Sequence, residues 1–322
     1  GLVAVCVSTV AAQTAFEPPR LPGGQPDLQG VWDFRTLTPL QRPEGQADKL
    51  VLTAEEVAEI ESRAAARTAE ANAPSEVRTE PLPVGGNIGA YNSYWVDQGA
   101  AVVDDQRTSL IVDPPNGRLP ALQPGIELDV LSLGEDLPGV RPVRVRAAGI
   151  GADSYEDRGL SERCLLGFNS GPPIVPAGYN QNIQLFQTSD HIVILHEMVH
   201  DARIVPLDGH DPLPDTVRQW MGSSRGYWDG DTLVVESVDF GDHSWLEFPG
   251  YIHSNEMRVT ERFTRTGDVL KWEATVNDPE MFLEPWVWNP WYTRVHSDKD
   301  ANIREANPCR DYNSQHLNTE RG

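Results

Sequence analysis

The second half of the chain alternates apolar and polar residues with a period of two. "NIQLFQT" (182–188) and "HIVILHE" (191–197) flank the short polar connector Ser189-Asp190, which predicts a hairpin. In "GYWDGDTLVVESVDF" two alternating runs meet at Asp229-Gly230, the strongest local hairpin signal in the chain. "RVTERFTR", "TGD" and "VLKWEATVND" repeat the arrangement, with Val259, Glu261 and Phe263 in one phase and Thr260, Arg262 and Thr264 in the other. Consecutive hairpins of this kind make an antiparallel meander, closed as a barrel or folded as a sandwich. The fold class expected is mainly β, with one N-terminal helix and long loops.

That helix is read from "LTAEEVAEIESRAAARTAEANAP". Thr53 followed by Glu56 makes a capping box, and Ala, Glu and Arg carry the helix to about Ala73, before Pro74. Val57, Ile60 and Ala64 recur at helical spacing, but the stripe is thin, so a surface helix packed by one face is expected. From Pro81 to Pro142 the chain is rich in Pro, Gly and Asp, with short strand-like pieces "SLIVD" and "IELDVLSL". The expected organisation is a leader remnant over 1–12, a strand and helix packed on the body over 13–80, a loop-rich insertion over 81–150, and the main β region over 151–322.

The start, "GLVAVCVSTVAAQTAFEPP", is apolar and ends in small residues. Val10-Ala11-Ala12 fits the small-x-small rule for signal cleavage and would leave Gln13 first, so export to the periplasm or beyond is expected. No later apolar run is long enough to span a membrane, so stable membrane insertion is not expected. With 26 Lys and Arg against 48 Asp and Glu, the formal charge is −22, which repels phosphate backbones and argues against nucleic acid as a partner. Of three cysteines, Cys6 lies in the leader. Cys164 and Cys309 would then form one long-range disulfide in an oxidising compartment, or remain two buried thiols.

"VILHEMVHDAR" (193–203) contains His196-Glu197-x-x-His200, the spelling of a zinc hydrolase when it lies on a helix. On a helix, residues four apart share a face about 6 Å apart. On a strand they stand about 13 Å apart, too far for one ion. Ile192, Val193, Ile194, Val199, Ile204 and Val205 are β-branched, which favours a strand and makes zinc at His196 and His200 the lesser reading. No cofactor is expected otherwise. An uninterrupted strand would place Glu197, Val199, Asp201 and Arg203 on one face and Met198, His200 and Ala202 on the other. That polar face is either solvated, with an Asp201–Arg203 ion pair, or it lines a ligand site. In the second case Glu197 or Asp201 is the general acid or base, His200 its partner, and Arg203 the group that holds developing negative charge. His243 and His253, in "DHSWLEFPGYIHS", are further loop candidates. Trp220, Trp228 and the other tryptophans suit stacking on an organic or carbohydrate ligand, or an ordinary core.

Two resemblances add to this. Gly30-Val31-Trp32 resembles the Gly-x-Trp start of lipocalin-like barrels, which implies a Trp closing one end of the core. The segments "ERCLLGFNSGPPIVPAGYNQNIQLFQT", "HEMVHDARIVPLDGH", "RQWMGSSRGYWDGDTLVVES" and "VTERFTR" resemble a large family of exported bacterial proteins, mostly without assigned function. The resemblance runs from about Gly30 to Asp278. Its pattern E-M-x-H-(D/E)-A-R falls on Glu197, Met198, His200, Asp201, Ala202 and Arg203 and leaves His196 optional, and Cys309 falls at a matching cysteine. It implies export and no particular activity. An exported enzyme of acid–base type, hydrolase or lyase, is the first expectation. A non-catalytic binding protein is the second, and a zinc hydrolase the third.

Overall fold

The computed structural model describes residues 17–46, 48–73, 96, 99–126, 164–167, 169–211, 213–214, 216–241, 245–246 and 251–295, with backbone alone at 200, 245–246, 251–252 and 289–295. The leader, residues 127–133 of "IELDVLSL", His243, Cys309 and residues 296–322 lie outside the described residues. In chain order the elements are β1 (Gly30–Asp33), α1 (Ala54–Ala71), β2 (Ile111–Asp113), β3 (Asn182–Gln187), β4 (His191–His196), β5 (Ala202–Pro206), β6 (Ser223–Asp229), β7 (Thr232–Val238), β8 (Trp245–Leu246), β9 (Tyr251–Ile252), β10 (Arg258–Thr266), β11 (Val269–Asn277) and β12 (Trp286–Val295). The protein is mainly β, as the alternation requires.

The three hairpins form where the sequence puts them. β3 and β4 pair from Ile183↔His196 to Gln187↔Ile192, β6 and β7 from Ser223↔Val238 to Asp229↔Thr232, and β10 and β11 from Arg258↔Asn277 to Thr266↔Val269. Gly230 and Gly267 take positive φ (60° and 65°) in the two tight turns, a region glycine enters without steric cost. The capping box of α1 is complete: Thr53 Oγ1 accepts from the Glu56 N–H and the Glu56 carboxylate accepts from the Thr53 N–H. Only Ala64 of this helix is buried, which is what its thin apolar stripe allows.

Ten strands form one antiparallel path, β5-β4-β3-β1-β12-β11-β10-β7-β6, with β2 paired to β12, and β8 and β9 pair only with each other. It has two halves, β1 with β3, β4 and β5, and β12 with β2, β11, β10, β7 and β6. They are joined through Trp32↔Val295 and Asp33↔Arg294. The free ends β5 and β6 approach each other without a ladder between them, so the sheet folds over itself as a sandwich and does not close as a barrel. Side chains fill this seam: a Cβ on Gly226 of β6 would lie 2.8 Å from Leu207 Cδ2 and 2.9 Å from Val205 Cγ1.

The interior is aromatic. Phe34 meets Trp272 edge-on at 5.9 Å, Trp272 meets Trp288 at 5.6 Å, and Trp288 stacks on Trp286 at 5.5 Å. Trp32 is fully buried, donates its indole N–H to the Leu28 carbonyl at 3.0 Å, and carries the Arg265 guanidinium over its ring at 5.5 Å. No described helix is long and apolar enough to cross a membrane.

Because Gly226 is in contact at the seam, Gly226→Val overpacks it and is expected to lower stability by about 1–3 kcal/mol in urea unfolding. Unchanged stability would show that β5 and β6 do not touch.

Candidate functional site

The His196-Glu197-x-x-His200 run is neither an α-helix nor an unbroken strand. β4 ends at His196, Glu197 is helical (φ −66°, ψ −35°), Met198–His200 make one tight 3-10 turn, and Asp201 (φ −62°, ψ 129°) returns the chain to β5. The His196 N–H closes the turn by donating to the Asp201 carbonyl at 2.8 Å. Val199 sits at φ 57°, ψ 16°, a left-handed conformation that strains a β-branched residue by about 1–3 kcal/mol. The side chain that pays this cost is buried. The helix face on which His196 and His200 could share a zinc ion is therefore not formed, and no group of three or more His, Cys, Asp or Glu is placed to hold a metal among the described residues. The turn also breaks the period of two, so the expected common face of Glu197, Asp201 and Arg203 does not form.

The two carboxylates of the turn hold neighbouring backbone. Glu197 Oε2 accepts from the Asn182 N–H at 3.1 Å and from Asn182 Nδ2 at 2.9 Å. Asp201 Oδ2 accepts from the Gly167 N–H at 2.6 Å and from Ser170 Oγ at 2.9 Å. One latches the turn to the start of β3, the other to the segment before it. No Asp201–Arg203 pair forms. Arg203 turns into the sandwich with Val205, while Ala202 and Ile204 face out.

Inside, Arg203 Nη1 meets Glu261 Oε2 of β10 at 2.5 Å, and Trp272 Nε1 donates to Glu261 Oε1 at 3.2 Å. Arg203 is 3% exposed and Glu261 0%. Taking two charges out of water costs several kcal/mol per ion, which mutual attraction offsets only when the remaining polar atoms are also satisfied. Here they are not: Arg203 Nε and Nη2 are buried without a hydrogen-bond partner. His196 faces the same interior, and its Nε2 is also unpartnered. Burial, reinforced by the Arg203 charge, pushes the His196 imidazole down to about 3, so it is neutral near pH 7. Glu261 and Trp272 were not among the sequence candidates. The signal was present: Glu261 stands in the apolar phase of β10, between Val259 and Phe263.

The remaining candidates are scattered. His253 is buried against Phe240 (5.5 Å, edge-on), and its Nδ1 donates to the Ser254 carbonyl at 3.0 Å. Trp220 is 41% exposed in the turn before β6, on the Phe240–Gly241 side. Trp228 lies toward the other end of β6, about 17 Å from Ser223 at strand rise. The structure brings Trp220 near the Phe240 region that His253 contacts, and does not bring Trp228 there. For His200 only the backbone is described.

Among the described residues, concavities occur beside α1 and beside β4. A cleft of about 330 Å³ runs between α1 and the body, with Leu52, Glu56, Ile60, Pro43 and Arg107 in its walls. A narrow void beneath the segment 169–181 is lined by Phe34, Asn169, Asn182, Ile183 and His196. Asn169 Oδ1 and Asn182 Oδ1 are buried without partners, as is His196 Nε2. No protein-family model matches this chain, and neither does any curated protein or solved structure.

The depressed His196 sets a pH dependence. Unfolded, the ring takes a proton as pH falls through its ordinary 6.5, whereas the folded chain does not until about 3, so stability complete above 6.5 is lost as pH falls. Between pH 6.5 and about 5 the expected slope from this group is on the order of 1 kcal/mol per pH unit. His196→Gln should flatten it in denaturant titrations run across that window. An identical slope in the variant would place the ring in solvent.

Proposed function

We propose that this is a binding protein for a small organic molecule that carries a hydrogen-bond acceptor, held inside the sandwich behind the β4–β5 turn. The observation that carries this reading is the Arg203 guanidinium, fixed on one side by Glu261 and left with Nε and Nη2 unpartnered in an aromatic interior. A buried donor without an acceptor costs about 1–3 kcal/mol, more when charged, and a ligand carbonyl or carboxylate removes that cost. Trp272, whose indole N–H donates to Glu261, offers such a ligand apolar surface beside the pair. Glu197 and Asp201 hold the turn in place, and His196, neutral at physiological pH, adds a polar contact without a charge.

A second reading is favoured by the strain at Val199, since backbone held out of its ordinary regions clusters at reactive sites. In it Glu197 or Asp201 is the acid or base of a hydrolase or lyase, His200 its partner, and Arg203 the stabiliser of negative charge. Carbohydrate stacking on Trp220 or Trp228 belongs to the same class of small-ligand function. In both readings the protein is exported, as its leader and its resemblance to exported bacterial proteins suggest. Cys164 then bridges to Cys309, and a charge of −22 argues against nucleic acid as a partner.

The test is a thermal-shift ligand screen on the wild type beside the Arg203→Met/Glu261→Leu double variant, which exchanges the ion pair for apolar groups of similar size. Ligands bearing carbonyl or carboxylate groups should raise the Tm of the wild type only. Hits that stabilise both forms equally would remove Arg203 from the site.

A further inference from the structure

The outer faces of the two halves of the sandwich differ in chemistry. On β10 and β11 the outward positions mix charges with threonine, and Arg262 stands opposite Glu273; on β6 and β7 Arg225 stands opposite Glu236. Cross-strand charge pairs of this kind suit a face that stays in water. On β3, β4 and β5 the outward phase reads Gln184 and Phe186, Val193 and Leu195, Ala202 and Ile204, with no charge in any of them. The ladders align these in two rows, Phe186–Val193–Ile204 and Gln184–Leu195–Ala202. Phe186 is 43% exposed and Ile204 59%, with Val193 partly buried between them. On the far side of β3, Val31 stands opposite Gln184 and is buried, so the open face is that of β3, β4 and β5. An apolar row that crosses three strands without a charge is a contiguous patch, which marks an interaction surface.

We propose that a second copy of this chain covers this face, packed sheet on sheet across a two-fold axis that runs along β4. Such an axis lays Phe186 of one copy over Ile204 of the other and Val193 over Val193. It also brings the patch against itself, so any charge there would meet its own like in the desolvated centre. A foreign partner imposes no such condition, because it can supply the opposite charge. For a chain of −22 that partner would be basic, and the matching positions here would be acidic. The patch holds none, which is what self-association requires. The six residues of β4 at a rise of about 3.3 Å, with neighbouring strands about 4.8 Å apart, give a flat face of roughly 20 by 14 Å. That is small beside the roughly 800 Å² per partner of a standard interface, so the dimer is weak, with Kd on the order of 10–100 µM. Two chains of −22 also repel, and salt screens that repulsion. The dimer face lies outside the sandwich and does not depend on a ligand within it.

Sedimentation equilibrium of the full chain, up to about 200 µM and in about 0.05 M and about 0.5 M NaCl, is the test. The wild type should be a monomer–dimer mixture that associates at least about threefold more tightly at the higher salt, the reverse of a contact held by opposite charges. Ile204→Lys and Phe186→Lys should each weaken the dimer at least about tenfold, although each lowers the net negative charge. Both side chains are exposed, so the monomer's fold should survive, as circular dichroism would show, and if one variant does not fold the other decides. Thr260→Lys, on the charged outer face of β10, is the control and should leave the equilibrium within about twofold. A monomer at both salt concentrations overturns the proposal and leaves the face to a different protein. A dimer that folded lysine variants retain, or one that weakens as salt rises, overturns it as well.

Discussion

The Arg203–Glu261 contact is the constraint on which the rest of the interior depends. β5 stands at one end of the strand path and β10 near the other, so the pair reaches across the sandwich and not along a ladder. Two charges have been taken from water into a space otherwise filled by Trp, Phe, Ile and Val. Such a pair is weak evidence for stability, because apolar residues of the same volume commonly do as well. Its effects are specific ones. The guanidinium must face inward, which fixes the phase of β5 after the turn, and its field helps to keep His196 neutral. The atoms it leaves unsatisfied are the strongest reason to look for a ligand there.

The turn between β4 and β5 makes that inward phase possible. An unbroken strand from His196 would have given Glu197, Asp201 and Arg203 one common face. The left-handed Val199 and the 3-10 turn reset the alternation, so the carboxylates tie down the backbone N–H groups of Asn182 and Gly167 and the Ser170 hydroxyl while the cation goes inside. The strain at Val199 is offset by burial of its side chain and by those latches. Burial and these hydrogen bonds together hold the turn in one shape.

Period-two alternation and turn chemistry are local, and the hairpins at Ser189-Asp190, Asp229-Gly230 and Thr266–Asp268 were legible from them. So was α1, through Thr53 and Glu56. The choice of sandwich over closed barrel was not legible, because it turns on whether β5 and β6 share hydrogen bonds across a long connection. The site was half legible. Arg203 was named for its motif, but its partner Glu261 lies 58 residues away, and only its place between Val259 and Phe263 marked it. The stop at His196 was invisible, since nothing in Glu197-Met198-Val199 announces a turn and Val199 is among the residues least suited to positive φ.

A double-mutant cycle on Arg203 and Glu261 tests the central claim most directly, with stability read by urea unfolding of the wild type, Arg203→Met, Glu261→Leu and the double variant. Each single change leaves an uncompensated buried charge and should cost about 3–5 kcal/mol, while the double variant should recover to within about 1 kcal/mol of the wild type. Single changes that each cost less than about 0.5 kcal/mol, and that add in the double variant, would show two solvated side chains and no buried pair.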